Sequence, residues 1–331
     1  MKININDIAK EAGVSIATVS RVINGKEGAS EATREKVKKI IEKYSYSSNQ
    51  VGIHDLYRKS LRSVAILTVD IRVPHYARTA YTMEREFSKH GYAVYLCNTG
   101  GDIETTVNYL TDVLEEQVAG IVLVGSVFDE IGKDPRVEHY LRMAPVVMAN
   151  GKLNLPNSYS VLVDDVFGIS RMVQYVYKHG KRDIFYLSGA TTDSAQNKKT
   201  GFLQGMNLCG LNTDGKIIDT EDSIEGGMRA AEEILSSGRA CDAMVCGEDI
   251  VAVGALKKLL RKHIAVPEKI AVTGYNNSMI SRNIEPELTG VDNKPEQVAL
   301  LCVQLLESLI DHTDSYSSVT LQPEIVKGGT V

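Results

Sequence analysis

Residues 6–25 read NDIAKEAGVSIATVSRVING, and the punctuation of this stretch decides how the chain begins. Asn6 is placed to cap a helix over residues 7–12, Gly13 supplies a tight turn, and Ser15 caps a second helix running from Ile16 to about Ile23. Asn24 and Gly25 end it. A third start at Ser30 leads into EATREKVKKIIEKY (31–44), where Val37, Ile40, Ile41 and Tyr44 recur at helical spacing and form one apolar face. Three short helices, the first two joined through a glycine, make a helix-turn-helix unit. Such a unit lays its second helix in the major groove of DNA, N-terminal residues toward the base edges. On that helix Ser15, Thr18, Ser20 and Asn24 suit phosphate oxygens, Arg21 can grip guanine with two hydrogen bonds, and Ile16 and Ala17 can touch thymine methyl groups. Without DNA the same residues would serve as helix caps and as the start of a three-helix bundle.

Charge follows the same division. Residues 1–60 carry a net charge of +4 and the remainder −9, within a chain of −5, so the basic excess sits at the head, as expected if a small domain meets a polyanion. With 331 residues, 43% hydrophobic and 24% charged, the chain has the composition of a globular protein of two or three domains. No apolar run approaches a membrane span and the N-terminus has no signal-peptide pattern, so a cytoplasmic protein is expected. The five cysteines, Cys97, Cys209, Cys241, Cys246 and Cys302, are scattered without a CxxC pair, which points to buried apolar side chains rather than a disulfide framework or zinc site.

From Val64 onward the pattern changes. SVAILTVDI (63–71), YAVYLCNT (92–99), AGIVLVGS (119–126), APVVMAN (144–150), YSVLVDD (159–165), DIFYLSG (183–189), AMVCGED (243–249) and KIAVTGY (269–275) are short apolar runs separated by helical stretches. This alternation predicts a doubly wound α/β fold with parallel sheets, and eight or more strands divide naturally into two lobes. Ligands in such sheets bind beyond the carboxyl ends of the strands.

The head closely resembles the DNA-binding head of the lactose-repressor (LacI/GalR) family of bacterial transcription regulators, through DIAKEAGVSIATVSRVING, SEATREKVKKIIEKYSY and Asn49. The resemblance implies DNA contacts at Ser15, Ile16, Ala17, Thr18, Ser20, Arg21, Asn24, Ser30 and Thr33, with Ile16 and Ala17 choosing the operator. It also implies a hinge helix that folds on DNA and wedges a leucine into the minor groove. Here the chain departs from the family: Ser48 stands where proline is usual, Gly52 weakens the helix, and one residue is inserted, which makes Leu56 the expected wedge.

The resemblance continues through DIRVPHY, VLVDDVFG, KKTGF, EDIVAVGAL and VPEKIAVTGYNN. It implies a helix-turn-helix domain at 1–48, a hinge at 49–62 and a periplasmic-binding-protein-like domain at 63–331, with lobe 1 at about 63–163 and 293–331 and lobe 2 at about 164–292. Carried over position by position, the effector contacts fall on Arg72, His75, Tyr76, Asn150, Lys198, Asp222, Asp249 and Asn276. Only Asp249 keeps the family's usual side chain. The exchange of two carboxylates for amides and the added Arg72 predict a more cationic cleft, suited to an anionic sugar derivative; alternatively Arg72 and Lys198 point to solvent or pair with Asp222 and Asp249.

GLNTDGK (210–216) has the spacing of a phosphate loop, but Ile217 follows where Ser or Thr should bind magnesium, and the segment succeeds a helix. No nucleophile–base pair, metal motif or cofactor fingerprint is legible, so the expectation is a non-enzymatic regulator without a cofactor. The chain stops at Val331 without a leucine-heptad tail, and a homodimeric repressor on a pseudo-palindromic operator, controlled by a sugar or anionic sugar derivative that either induces or co-represses, is the expected assembly. The irregular hinge and cleft keep a second reading open, a binding protein with an altered DNA role that senses a partner protein.

Overall fold

The computed structural model of the protein describes residues 5–23, 28–47, 62–189, 191–311 and 318–331. Two compact units divide the chain, one of residues 1–64 with 87–94 and the other of residues 65–86 with 95–331.

The head is built from α1 (Ile5–Ala12), α2 (Ile16–Ile23) and α3 (Glu31–Ser47). Gly13 turns the chain between α1 and α2 at φ 70°, a left-handed conformation that glycine adopts without penalty, and Val14 N donates to Ala9 O at 3.0 Å. Ile8, Ala9, Ala12, Val19, Val22, Val37 and Ile40 close a small core, with Val14 and Ala29 packed against it. Because α1 already includes Ile5 and Asn6, Asn6 lies within the first turn rather than capping it. The hinge positions Ser48, Gly52 and Leu56, and Asn24 at the end of the second helix, lie outside the described residues.

The remainder carries two six-stranded sheets. The strands are β1 (Ser63–Thr68), β2 (Ala93–Asn98), β3 (Gly120–Val124), β4 (Val146–Ala149), β5 (Ser158–Val163), β6 (Ile184–Ser188), β7 (Ile217–Asp219), β8 (Ala243–Cys246), β9 (Ala271–Tyr275), β10 (Thr289–Asp292), β11 (Val319–Leu321) and β12 (Glu324–Val326). The first sheet has the order β11-β5-β4-β3-β1-β2 and the second β12-β10-β9-β8-β6-β7. Pairing is parallel at β3/β4, β4/β5, β5/β11, β6/β8, β8/β9 and β9/β10, and antiparallel only where β12 meets β10 among the registers described. Strands β3, β4, β8 and β9 are buried from end to end, which is why they read as unbroken apolar runs.

The chain leaves the first sheet after Val163, returns after Asp292 and leaves again between Leu321 and Glu324, where Asp164 N donates to Leu321 O at 2.9 Å. The first lobe as read from the sequence, 293–331, is therefore too long: Ile325 pairs with Val291, so the last strand belongs to the second sheet. β7, β10, β11 and β12 have no counterpart among the apolar runs of the sequence. At three or four residues each they are too short to show a period.

One helix contact sets the second lobe's geometry. The helix Asp193–Leu208 packs on the helix Asp165–Lys178 through Gly201, where an added Cβ would come within 2.4 Å of Val166 O. This close approach fixes Lys198, one turn earlier on the same helix, in the wall of the cleft.

Candidate functional site

In the head, Ser15 caps α2: its Oγ accepts from Thr18 N at 3.1 Å and lies 2.9 Å from Thr18 Oγ1. Ser30 caps α3 in the same way, accepting from Thr33 N at 3.3 Å and lying 2.8 Å from Thr33 Oγ1. Each hydroxyl satisfies an orphan backbone N–H and leaves the helix start facing outward. Val19 and Val22 anchor α2 to the core, whereas Ser15, Ile16, Ala17 and Arg21 are exposed, Ile16 at 49%. Thr18 and Thr33 are half-buried and Ser30 is exposed. Ser20 lies on α2 between Val19 and Arg21.

In the second unit a cavity of about 500 Å³ lies between the carboxyl ends of the two sheets. Arg72, His75, Tyr76 and Asn150 line it from the first sheet's side, and Lys198, Asp222, Asp249 and Asn276 from the second's. All eight positions named from the sequence thus meet in one space. The reason is topological: parallel strands deliver every strand-end loop to the same edge, and the two sheets present those edges to each other.

The charges within that space differ from the expectation of a cationic cleft. Arg72 turns its guanidinium onto Asp70, with Nε at 3.0 Å from Oδ1 and Nη2 at 2.7 Å from Oδ2, and its side chain is 88% exposed. Lys198 is buried and its Nζ donates to Glu248 Oε1 at 2.7 Å and to Gly247 O at 3.0 Å, while standing 4.1 Å over the Tyr275 ring. The partners are Asp70 and Glu248, not Asp222 and Asp249. Setting aside the Asp70–Arg72 pair, the lining holds the carboxylates of Asp165, Asp222, Glu248 and Asp249 against the single ammonium of Lys198. The cleft is anionic, and the inference of a negatively charged ligand is withdrawn on that ground.

Each carboxylate has its own setting. Asp165 accepts from Ser194 Oγ at 2.6 Å and from the Tyr275 hydroxyl; burial raises its pKa against the pull of Lys198. Asp249 Oδ2 accepts from Ser278 N at 2.7 Å and Ser278 Oγ at 2.6 Å, a clasp between helix start and loop, and burial pushes it up to about 6. Burial alone would raise Glu248 as well, but the Lys198 ammonium, the field of His75 and the hydrogen bonds from Lys198 and Asn276 together hold the carboxyl below its usual range. Asp222 is exposed to the cavity, and desolvation at the wall followed by the charge of Glu248 pushes it up to about 6. Opposite them, the His75 and Tyr76 rings stand 4.1 Å apart. Desolvation takes His75 down to about 4 and Tyr76 up to about 12, so both present neutral rings at physiological pH.

Glu248, Asp165, Tyr275 and Asn293 are lining residues that sequence reasoning did not name. Glu248 immediately precedes Asp249 at the end of β8, and the strand-end rule that selected its neighbour covers it equally. Asn293 follows β10, a strand without a sequence signal, and closes a chain of hydrogen bonds: Asn293 Nδ2 to Asn276 Oδ1 at 2.8 Å, then Asn276 Nδ2 to Glu248 Oε2 at 2.5 Å.

Comparison with known proteins agrees with both halves. Residues 4–49 match the profile of bacterial regulatory proteins of the lacI family, and residues 173–331 that of a periplasmic binding protein-like domain. An HTH-type transcriptional regulator of Lachnoclostridium phytofermentans is 30% identical over 328 residues, covering 98% of each chain. The HTH-type transcriptional repressor CytR of Escherichia coli is 26% identical over 333 residues, 98% of this chain and 96% of its own. Among solved structures, a Lac repressor dimer bound to operator and the anti-inducer ONPF superposes with a TM-score of 0.83 over 100% of this chain and 99% of that one; at 21% identity it attests the shared fold. Among the described residues no helix is long and apolar enough to cross a membrane.

Proposed function

The chain belongs to the lacI family of bacterial transcription regulators, and from this premise we propose how it works: it is a sequence-specific DNA-binding repressor whose hold on its operator is set by a small molecule taken into the cavity between the two sheets. Two copies pair and present two α2 helices to a pseudo-palindromic operator on the chromosome, in the cytoplasm. In each helix Arg21 reads guanine, Ile16 and Ala17 meet thymine methyl groups, and the hydroxyls of Ser15, Thr18, Ser20, Ser30 and Thr33 set the register on phosphates, together with Asn24. Leu56 serves as the minor-groove wedge.

The observation that carries this reading is the exposure of Ile16. An isoleucine at the first helical position of α2, 49% exposed beside exposed Ala17 and Arg21, adds nothing to the core that Val19 and Val22 already close. Its burial is supplied by a groove of DNA.

Effector control follows from the cavity walls. His75, Tyr76 and Asn150 line the cavity from the first sheet's side and Lys198, Asp222 and Asn276 from the second's, so a ligand touching both favours one arrangement of the lobes. It shifts the equilibrium only by its differential affinity, about 2.7 kcal/mol for a hundredfold preference.

The test is selection from a random duplex pool by the full-length protein, followed by titration of the selected duplex with small molecules. Recovery of a twofold-symmetric sequence whose affinity changes on adding one of them supports the reading. A pool that yields no sequence preference overturns it and favours a protein that senses a partner protein.

A further inference from the structure

The effector reading leaves the chemical class of the ligand open, and the cavity's own atoms narrow it. Its one enclosed cation is fully engaged. Lys198 Nζ is taken up by Glu248 Oε1, Gly247 O and the Tyr275 ring, so it offers an incoming anion nothing without first breaking the pair with Glu248. Arg72 is closed on Asp70 and faces solvent.

Acceptors, in contrast, are in surplus. Asp165, Asp222, Glu248 and Asp249 all line the cavity. Asp222, which accepts from the Gly189 N–H, is exposed and lines the same space as Glu248, so a positive charge there meets two carboxylates. The neutral rings of His75 and Tyr76 complete the wall, an aromatic surface that suits both a sugar face and a cation.

We propose that the ligand is a small polyhydroxy amine of the amino-sugar class, its ammonium held at Asp222 in the field of the cavity's carboxylates and its ring face set against His75 and Tyr76. This rests on the effector reading of the cavity. The sugar face answers the aromatic pair, and the ammonium answers four carboxylates that face one occupied lysine.

The test is calorimetric titration of the full-length protein at pH 7 with glucosamine, galactosamine and mannosamine, each beside its neutral parent sugar and the parent's 6-phosphate. At least one amine should bind about tenfold or more tightly than its parent. Asp222→Asn should reduce that preference by about tenfold; because the folded protein resists ionising this carboxyl, the variant should melt no lower than the parent, so a lost preference is not a lost fold. A parent sugar or phosphate that binds as well as the amine overturns the ligand class and leaves the effector cavity standing. An amine preference that survives Asp222→Asn overturns the assigned seat. Silence from amines, parents and phosphates alike overturns the ligand class, while the effector reading stands or falls separately on the titration of the selected duplex.

Discussion

Lys198 Nζ lies 2.7 Å from Glu248 Oε1, a buried pair that joins a helix of the second lobe to the end of β8 across 50 positions of sequence. Burial alone would push the lysine down, yet the charges of Glu248 and then Asp165 hold it above the usual lysine range. The pair is therefore ionised on both sides throughout the physiological range, and it organises the cavity: Glu248 aligns Asn276, which aligns Asn293.

Removing one partner of such a pair strands the other's charge. Lys198→Met is expected to cost about 3 kcal/mol of unfolding free energy, the lower end of the range for broken buried pairs, because the Glu248 side chain keeps 22% exposure. Adding Glu248→Gln should restore most of that loss, since the amide needs no counter-charge. Urea unfolding of both single variants and the double variant measures this; strictly additive losses would show the two groups to be independent.

Asp129 supplies a pH dependence of its own. It is 8% exposed, its Oδ1 accepts from Lys152 N at 2.7 Å, and burial, reinforced by the charges of Asp193 and Glu130, pushes it up to about 7. Unfolded, it titrates at about 3.9. Between about pH 4 and pH 7 the unfolded chain has released a proton that the folded chain retains, so stability falls as the pH rises through this window and is level above it. Asp249 and Asp222, both raised to about 6, act in the same direction. Asp129→Asn keeps an acceptor for Lys152 N and removes the charge. It should raise stability by about 1–3 kcal/mol at pH 8 and change it little at pH 4, as read by thermal unfolding at the two pH values.

The head and the long buried strands were legible because local rules govern them: a cap, a glycine turn and an apolar period need only neighbours in sequence. The cavity's eight positions were legible through the strand-end rule and the family resemblance together. Its charge was not. Lys198 and Glu248 are brought together by packing of a helix on a sheet, which no local pattern encodes. The Arg72–Asp70 pair spans only two residues, so it is a local contact within reach of the sequence. The short strands β7, β10, β11 and β12 exist because neighbouring strands offer them partners, so their own residues carry little signal.

Gly201 gives a stability prediction with a functional readout. Alanine is favoured over glycine in an isolated helix by about 1 kcal/mol, but here its Cβ would meet Val166 O at 2.4 Å and Val166 Cα at 3.0 Å, both backbone atoms that cannot rotate away. The two helices must separate. Gly201→Ala is expected to lose about 1–3 kcal/mol net and to displace Lys198 from Glu248, so effector response should weaken along with the melting temperature. A variant as stable as the parent would show that the helix contact has more room than its geometry implies.

The exposed face of α2 separates affinity from choice. Arg21 and Ile16 are exposed while Val19 and Val22 hold the helix, so Arg21→Ala and Ile16→Ala should leave unfolding free energy within about 0.5 kcal/mol of the parent. On the selected operator Arg21→Ala should cost about 1–3 kcal/mol and level the preference for guanine at one position of each half-site. Ile16→Ala should instead relax the preference for thymine, with a smaller loss. For the parent, affinity should fall steeply with salt as counterions return to the phosphates. Binding measured across a salt series on selected and scrambled duplexes separates the two effects: if Arg21→Ala weakens both duplexes equally, the arginine meets phosphate rather than base and specificity lies with Ile16 and Ala17.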